Sequence, residues 1–301
     1  MWFKNLRLYR FTETCTLTPE TLQEALLKNP FHPCGKMDTK RSGWSPPLGH
    51  QGTEYVQAAH GYMMICSKRQ EKLLPAAVVN EHLEEKVQEI QAEEGRPVGR
   101  KERQTLKDEI IFSLLPQAFS KSARDFAYIA PLEGLIVVNA ASAKRAEDLL
   151  SQLRESLGSL KVIPLSPTHA PTQLMTEWVR TGTPPEDFEL GEDCELQAGK
   201  DSRIIRCRHQ DLTAPEISSH LDSGMYVSRL ALTWKDSIHF VLNDQFALTQ
   251  LKFEDSLKEQ ALDRDPESAA EQFDAEFAFM ALELSALIQA LLKASGGPAE
   301  A

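Results

Sequence analysis

Apolar and polar residues alternate in three stretches of the chain, and alternation with a period of two is typical of β-strands. These stretches are residues 3–11, 61–72 and 225–253. The third is interrupted at Lys235–Ser237 and Asn243–Gln245, so it predicts a three-stranded antiparallel meander with turns at those places. Further strands are predicted within residues 125–142, 161–166 and 203–209.

Other stretches repeat their apolar residues every three to four positions, as the buried side of a helix does. Residues 79–90 follow this spacing, and residues 106–114 repeat it until Pro116. The turn-like segment "EEGRPVG" lies between them, so we predict an antiparallel two-helix arm. Further helices are predicted at residues 19–27, 142–157, 213–221 and 265–294.

Three of these helices are preceded by capping signals. Thr18 stands before Pro19, as an N-cap before the first helical position does. Thr213 and Glu216 have the spacing of a capping box. Residues 263–265, "DRD", could be drawn as a metal-binding acidic pair, but before a Pro-Glu helix start they favour a solvated turn and N-cap.

The order of these elements predicts an α+β fold of antiparallel sheets with packed helices and no internal repeat. Residues 29–52 are rich in Gly, Pro and Ser, and we expect a long irregular loop there. Three regions follow. Residues 1–75 and 124–166 form a central α+β region, residues 76–123 a protruding helical arm, and residues 167–301 a second α+β region with the meander and a long C-terminal helix.

Charge is distributed unevenly along the 301 residues, whose formal net charge is −11. Residues 1–75 and 96–124 each have a balance of +4, whereas residues 76–95 have −5 and residues 236–301 have −9. An electrostatic field acts locally, over a Debye length of about 10 Å. An acidic total therefore does not exclude a polyanion as a partner, provided that the basic segments meet on one surface.

The chain lacks the common motifs of catalytic and cofactor sites. It has no phosphate-binding loop, no G-x-G-x-x-G, no G-x-S-x-G and no H-E-x-x-H. Its five cysteines are scattered without a C-x-x-C pair, which indicates reduced thiols in the cytosol. No stretch approaches twenty uninterrupted apolar residues. We therefore expect no catalytic residue, metal, cofactor or membrane span, although a triad assembled from distant residues is compatible with any sequence.

Basic side chains share faces of several predicted strands. In "RIIRCRH" the period of two places Arg206 and Arg208 opposite Ile205 and Cys207, and Arg229 shares the polar face of the meander. No pattern for reading base edges accompanies them, so we expect contacts to the phosphate backbone. The candidate DNA-binding residues are Lys36, Lys40, Arg41, Lys68, Arg69, Lys72, Arg96, Arg100, Lys101, Arg203, Arg206, Arg208, Arg229 and Lys235.

Several blocks together resemble one known family. They are "MWFKNLRLYR", "FHPCG…GWSPPLG", "EEKLLPAAVV", "LKDEIIFSLLPQAFS", "ASAKRAEDLL", "LRESLGSL", "TEWVRTG" and "QDLTAPEI". They are similar to RdgC, the recombination-associated family of proteobacteria, and the similarity runs from Met1 to the C-terminal helix. The resemblance implies a cytoplasmic, nucleoid-associated protein without catalytic activity or cofactor, which binds double-stranded DNA without sequence preference, with single-stranded DNA a further candidate.

The resemblance also implies a closed ring-shaped homodimer with two contact regions and a positively charged hole, which limits RecA-promoted strand exchange by occupying DNA. Phe119, in the block "LLPQAF", then corresponds to a hydrophobic finger that packs into the other subunit, and Leu115 is assigned to the same interface. A lysine-glutamine pair that the family implicates in ring function is His209-Gln210 here, and the resemblance assigns both residues to the dimer interface. The histidine is mostly neutral at pH 7, so a fixed positive charge is lost that Arg208 could supply. The alternative is a non-catalytic protein-interaction scaffold that acts through acidic helices and binds DNA weakly.

Overall fold

The computed structural model describes residues 1–199, 203–262 and 268–299. Within these ranges the chain forms two antiparallel sheets and eight α-helices. The α+β class predicted from the sequence is confirmed. The strands are β1 (Arg7–Phe11), β2 (Lys40–Ser45), β3 (Val56–Ala59), β4 (Tyr62–Lys72), β5 (Ser120–Ala130), β6 (Leu135–Val138), β7 (Val162–Pro164), β8 (Phe188–Ala198), β9 (Ile204–Cys207), β10 (Met225–Trp234), β11 (Ile238–Asn243) and β12 (Leu248–Phe253). The helices are α1 (Pro19–Leu26), α2 (Ala76–Glu94), α3 (Arg100–Leu114), α4 (Ala143–Leu157), α5 (Pro171–Thr181), α6 (Pro215–Asp222), α7 (Asp255–Gln260) and α8 (Ala269–Ala294).

The larger sheet has seven strands in the order β2-β4-β5-β6-β1-β7, with β3 paired to β4. The smaller sheet has five strands in the order β12-β11-β10-β8-β9. Its strands β10, β11 and β12 are the predicted meander, with turns at the expected places. Strand β9 lies at one edge of the smaller sheet, which leaves one side of its backbone without a neighbouring strand in that sheet.

The chain divides into two compact units. The first consists of Met1–Leu26, Pro46–Cys66 and Asp125–Ala301, and the second of Leu27–Ser45 and Ser67–Arg124. The predicted helical arm, residues 76–123, lies within the second unit, which also contains residues 27–45. The division into three regions stays a prediction.

Local sequence signals fix several helix ends. The hydroxyl oxygen of Thr18 accepts a hydrogen bond from the backbone N–H of Thr21 (3.3 Å), so the predicted cap of α1 is confirmed. Ser142 caps α4 in the same way, and Ser268 caps α8. Helix α2 ends at Gly95, whose φ of 64° is left-handed and favours glycine. Residues 263–265, where a turn and N-cap are predicted, lie outside the described residues.

Strands β2, β3 and β8 and helices α5 and α7 were not predicted from the sequence, and one predicted cap is wrong. Strand β2 lies inside the segment that the sequence predicts to be an irregular loop. The strand passes close to Phe31, and a Cβ atom at residue 43 would lie 2.4 Å from the Cα of Phe31. Only glycine fits at this position. Strand β8 was not predicted, although its polar and apolar residues alternate around Cys194. The capping box before α6 is wrong: the Thr213 hydroxyl donates to Asp211 (2.7 Å), and Ala214 precedes the helix.

Helix α8 is a core helix of the first unit. The apolar face that the sequence predicts for it packs inward: Phe277, Met280, Leu284, Leu287 and Leu291 are buried, and Phe273 is half-buried. By length and composition alone α8 could cross a membrane, but half of its most apolar stretch is buried within the protein. A mostly buried helix of a globular core has the same composition.

Candidate nucleic-acid interface

A row of charged side chains crosses the outer face of the five-stranded sheet. Glu195 of β8 is the register partner of Arg206 on β9 and of Arg229 on β10. Arg229 in turn lies opposite Asn243 of β11. Because directly opposed residues project to the same face, the carboxylate lies between two arginines. The sequence places both arginines on this outer face, and the structure confirms that placement.

Glu195 holds Arg206 by a direct contact. Oε2 of Glu195 lies 2.8 Å from Nε of Arg206. The Glu195 side chain is 15 % exposed and that of Arg206 is 65 % exposed, so the guanidinium reaches solvent while the carboxylate is largely covered. The Ser228 hydroxyl donates to the backbone oxygen of Glu195 (3.2 Å). This bonding keeps Glu195 in place beneath the arginines.

The sequence predicts basic side chains on the outer face. The structure shows instead that this face carries both basic and acidic side chains. Glu189 of β8 lies opposite Thr233 on this face. Nε2 of His239 lies 2.8 Å from Oε1 of Glu254. The sequence did not identify Glu189 and Glu195 as neighbours of the basic strands, because β8 was not predicted as a strand. A signal was present: in "FELGEDCELQA" polar and apolar residues alternate around Cys194.

A cleft of about 300 Å³ lies beside this row at the edge of the sheet. Arg206, Arg208 and Arg229 line it together with Asp193 and Glu195. Guanidinium groups bind phosphate through paired N–H donors, so three of them around one cleft are the type of donor that a phosphate group requires.

His209 and Gln210 follow directly after β9. His209 has a left-handed backbone (φ 53°), and its N–H donates to Asp193 Oδ1 (3.0 Å). Its ring is 86 % exposed, with Nδ1 3.7 Å from Glu192 Oε2. The Gln210 backbone N–H donates to the Glu192 carbonyl (3.1 Å). The turn presents the imidazole to solvent beside the cleft, and the role of both residues in dimer contacts stays a prediction.

Two further predicted residues of the first unit, Lys235 and Arg203, are not among the residues that line the cleft. Lys235 is at the opposite end of β10, in the turn to β11, where its ammonium group lies 4.7 Å from the centre of the Trp234 ring and 3.9 Å from Asp187 Oδ2. Arg203 is exposed just before β9. The structure therefore brings together Arg206, Arg208 and Arg229 and leaves Lys235 outside that group.

The predicted basic residues on the loop and strands of the second unit are partly engaged by the protein. Lys36, Lys40 and Arg41 are exposed, and Nε of Arg41 lies 2.6 Å from Asp38 Oδ2. On β4, the ammonium group of Lys68 lies over the Phe31 ring, and Arg69 is half-buried. The Lys72 ammonium donates to the carbonyl of Ala118 (3.1 Å).

The basic residues of the helical arm are of two kinds. Arg96 bonds Glu102 (2.7 Å) and Glu94 (2.6 Å). The hydrogen bond with Glu102 is the largest cause that raises the pKa of Arg96, followed by that with Glu94. Arg100 and Lys101 are exposed, and neither forms an ion pair within the described part of the chain. Arg100 and Lys101 are thus better candidates for phosphate contact than Arg96.

Phe119 is the most exposed aromatic residue that the structure shows on the second unit, with 84 % of its surface accessible. Its carbonyl accepts a hydrogen bond from the Leu73 N–H (2.7 Å), so its backbone is fixed while its ring is free. Leu115 is 1 % exposed and belongs to the core of this unit. The role of Leu115 in the dimer interface stays a prediction, and its burial within the chain gives it a structural role at the end of α3.

Comparison with known proteins identifies the family of this chain. A family model described as "Putative exonuclease, RdgC" matches residues 1–298. The chain is 44 % identical over 298 residues to the "Recombination-associated protein RdgC" of Aeromonas hydrophila subsp. hydrophila. The aligned region covers 99 % of this chain and 98 % of that protein. Proteins of the same name from Salmonella newport and Salmonella typhimurium are 42 % identical over 301 residues, covering 100 % of this chain and 99 % of each. The chain belongs to the RdgC family.

RdgC membership confirms the resemblance read from the sequence blocks and associates the chain with recombination. The two descriptions differ over chemistry, since one speaks of an exonuclease and the other of recombination only. Within residues 1–199, 203–262 and 268–299, no three His, Cys, Asp or Glu side chains are grouped so that they could hold a metal ion. Enzymatic activity is established by neither name, so it is a question for experiment.

Proposed function

We propose that this RdgC-family chain binds double-stranded DNA without sequence preference, through Lys and Arg contacts to the phosphate backbone. The observation that supports this proposal most strongly is the grouping of Arg206, Arg208 and Arg229 around one cleft. Backbone contacts fix a protein on a duplex but carry no sequence information. Exposed Lys36, Lys40, Arg100 and Lys101 on the second unit provide further phosphate contacts.

Glu195 limits the strength of this binding. Its carboxylate lies between Arg206 and Arg229 and offsets part of their charge. Nonspecific DNA binding depends on the number of phosphates neutralised, so a covered carboxylate among the arginines lowers both the affinity and its salt dependence. Moderate affinity suits a protein that occupies DNA and must also leave it.

The working form in this proposal is a closed ring-shaped homodimer around duplex DNA, located in the cytoplasm on the nucleoid. The exposed ring of Phe119 supports an aromatic anchor, the residue type that dominates interface energetics when it fills a partner's pocket. Such a ring has two contact regions and a basic hole. By occupying DNA it limits RecA-promoted strand exchange, without catalysis and without a cofactor.

One observation favours the alternative, a protein-interaction scaffold. Helix α2 exposes Glu81, Glu85 and Glu93, and its Glu84 pairs with Arg103 of α3. An acidic helix surface can attract a basic protein partner. The two proposals differ in DNA affinity, because a scaffold of this kind binds duplex weakly and with little dependence on salt.

Retention on closed circular DNA tests the proposal. The full chain is mixed with circular duplex and with the same duplex after linearisation, and dissociation is followed at raised salt by gel shift. A closed ring remains longer on the circle, since it cannot slide off an end. The same mixtures with Mg²⁺ are examined for loss of linear DNA, and a strand-exchange assay with RecA measures inhibition. Equal dissociation from both DNAs contradicts a ring, and stepwise shortening of the linear DNA contradicts the non-catalytic role.

A further inference from the structure

Two cysteines face each other across strands β8 and β9. Cys194 and Cys207 are register partners in this antiparallel pair, so their side chains lie on the same face. Directly opposed residues of such a pair have Cα atoms about 4.5–5.5 Å apart. A disulfide spans Cα separations of roughly 4.4–6.8 Å. The backbone therefore already holds the two cysteines at a separation that a disulfide can bridge.

The pair belongs to the buried core of the first unit but borders a cleft, through which a small oxidant can approach. Cys194 is 6 % exposed and Cys207 is 9 % exposed, and both line the cleft of about 300 Å³ beside Arg206. The remaining cysteines have no such arrangement: Cys15 and Cys34 lie outside the strands, and Cys66 is on β4. Proximity and access thus select one of the possible pairings.

We propose that Cys194 and Cys207 form a redox modification site, at which a hydroperoxide converts the two thiols into a disulfide. One thiolate attacks the peroxide oxygen, which breaks the O–O bond and gives a sulfenic acid and, after protonation of the leaving group, water or an alcohol. The second thiol attacks the sulfenic sulfur and expels water. Two electrons pass from the two sulfurs to the peroxide, and no further reactant is required.

The surroundings set the rate and the consequence of this reaction. Burial raises the pKa of the Cys194 thiol, and the neighbouring Cys207 raises it further. Because the thiolate is the nucleophile, oxidation is slow at neutral pH and accelerates as the pH rises. The product ties β9, the edge strand that carries Arg206, to β8. In a reducing compartment such a disulfide is transient, as redox-sensing disulfides are.

Oxidation of the full native chain with hydrogen peroxide, followed by alkylation and peptide mapping without reductant, tests the site. The expected result is a linked pair of peptides containing Cys194 and Cys207, which disappears after treatment with dithiothreitol. Its rate of formation should rise with pH. In urea, where the register is lost, the same oxidant should give mixed pairings among all five cysteines.

Cys194→Ala and Cys66→Ala serve as matched variants, because both remove one buried thiol of the first unit. The Cys194 variant should lose the linked peptides and the Cys66 variant should retain them. If the native chain oxidises at Cys15 or Cys34 while Cys194 and Cys207 stay alkylatable, the proposal is wrong. It is equally wrong if the peptides linking Cys194 to Cys207 make up no larger a share of all linked peptides in the native chain than in urea.

Discussion

Oε2 of Glu195 accepts a hydrogen bond from Nε of Arg206 at 2.8 Å, across the pair of strands that forms one edge of the five-stranded sheet. The side chain of Arg206 remains 65 % exposed in this contact, while the carboxylate of Glu195 is largely covered beside the arginines of the cleft. The two residues therefore have opposite effects on a polyanion, one attracting it and the other weakening that attraction.

Glu195→Gln should strengthen binding to duplex DNA. The substitution keeps the size of the side chain and removes one negative charge between Arg206 and Arg229. We expect an affinity gain of about three- to tenfold at low salt, equivalent to roughly 0.7–1.4 kcal/mol. Fluorescence anisotropy with a labelled duplex measures it.

Glu189→Gln is the matched control, since Glu189 lies on the same face of the same strand, opposite Thr233 rather than an arginine. It should change the affinity less than Glu195→Gln does. Equal gains from both variants would show that only net charge matters and that the position of Glu195 has no special effect.

The double substitution Arg206→Ala with Arg208→Ala should have the opposite effect. Both guanidinium groups line the cleft and are exposed. Binding should weaken about equally for unrelated sequences, and the slope of log K against log salt should flatten by about 1–2. Lys235→Ala, at the far turn of β10, is the control and should leave the slope nearly unchanged. A loss confined to one DNA sequence would argue against backbone contact.

Part of this surface could be predicted from the sequence. Period-two alternation places Arg206 and Arg208 opposite Cys207, and the structure agrees that both are exposed while Cys207 is buried, although Arg208 lies just after the end of β9. The partner Glu195 could not be predicted, because sequence patterns assign faces to strands but do not say which strands lie side by side. The pairing of Arg96 with Glu94 and Glu102 likewise depends on the conformation of the turn between α2 and α3.

In the fold, too, elements with local sequence signals could be predicted, and elements that depend on contacts between distant parts of the chain could not. Helix α4 was predictable because its start, its apolar spacing and its final glycine all agree. Strand β2 was not, because it exists through the close passage of Gly43 and Phe31, which no local pattern records. Pro116 predicts the end of the helix before Phe119, and α3 does end at Leu114. The burial of Leu115 could not be predicted, because it depends on neighbours from other elements, such as Val79 of α2 and Lys72 of β4.

Phe119→Ser should leave the protein folded and impair only its retention on circular duplex. The ring is 84 % exposed, so its removal should change the free energy of unfolding by no more than about 0.5 kcal/mol, as for other surface substitutions. Sedimentation should still show a dimer, held by the second contact region. Phe112→Ser, at 59 % exposure on α3, is the control and should retain circular DNA normally. A large fall in the melting temperature of the Phe119 variant would contradict an interface role.

Leu115→Ala should destabilise the second unit. Leu115 is 1 % exposed, and truncation of a buried leucine costs about 2–5 kcal/mol of stability through lost burial and the cavity that remains. Thermal unfolding followed by circular dichroism measures the loss. An unfolding temperature equal to that of the wild-type chain, together with a weaker dimer, would instead support the predicted interface role of Leu115.

Asp274→Asn should raise the thermal stability at neutral pH. Burial raises the pKa of Asp274, so its charge is unfavourable in the folded state, while Gln57 donates a hydrogen bond to it. A raised carboxyl pKa lowers stability above the folded pKa, and this cost vanishes as the pH falls towards the ordinary value near 3.8. The gain from the variant should therefore shrink on acidification. A gain in stability that grows at low pH would show that folding lowers the pKa of Asp274 rather than raising it.

Salt dependence of duplex binding tests the central claim most directly. The affinity of the full chain for two duplexes of equal length and unrelated sequence is measured from low to moderate salt. Sequence-independent phosphate binding predicts nearly equal affinities and a log–log slope of about −0.9 for every phosphate neutralised. A slope near zero, or a strong preference for one of the two sequences, would contradict it.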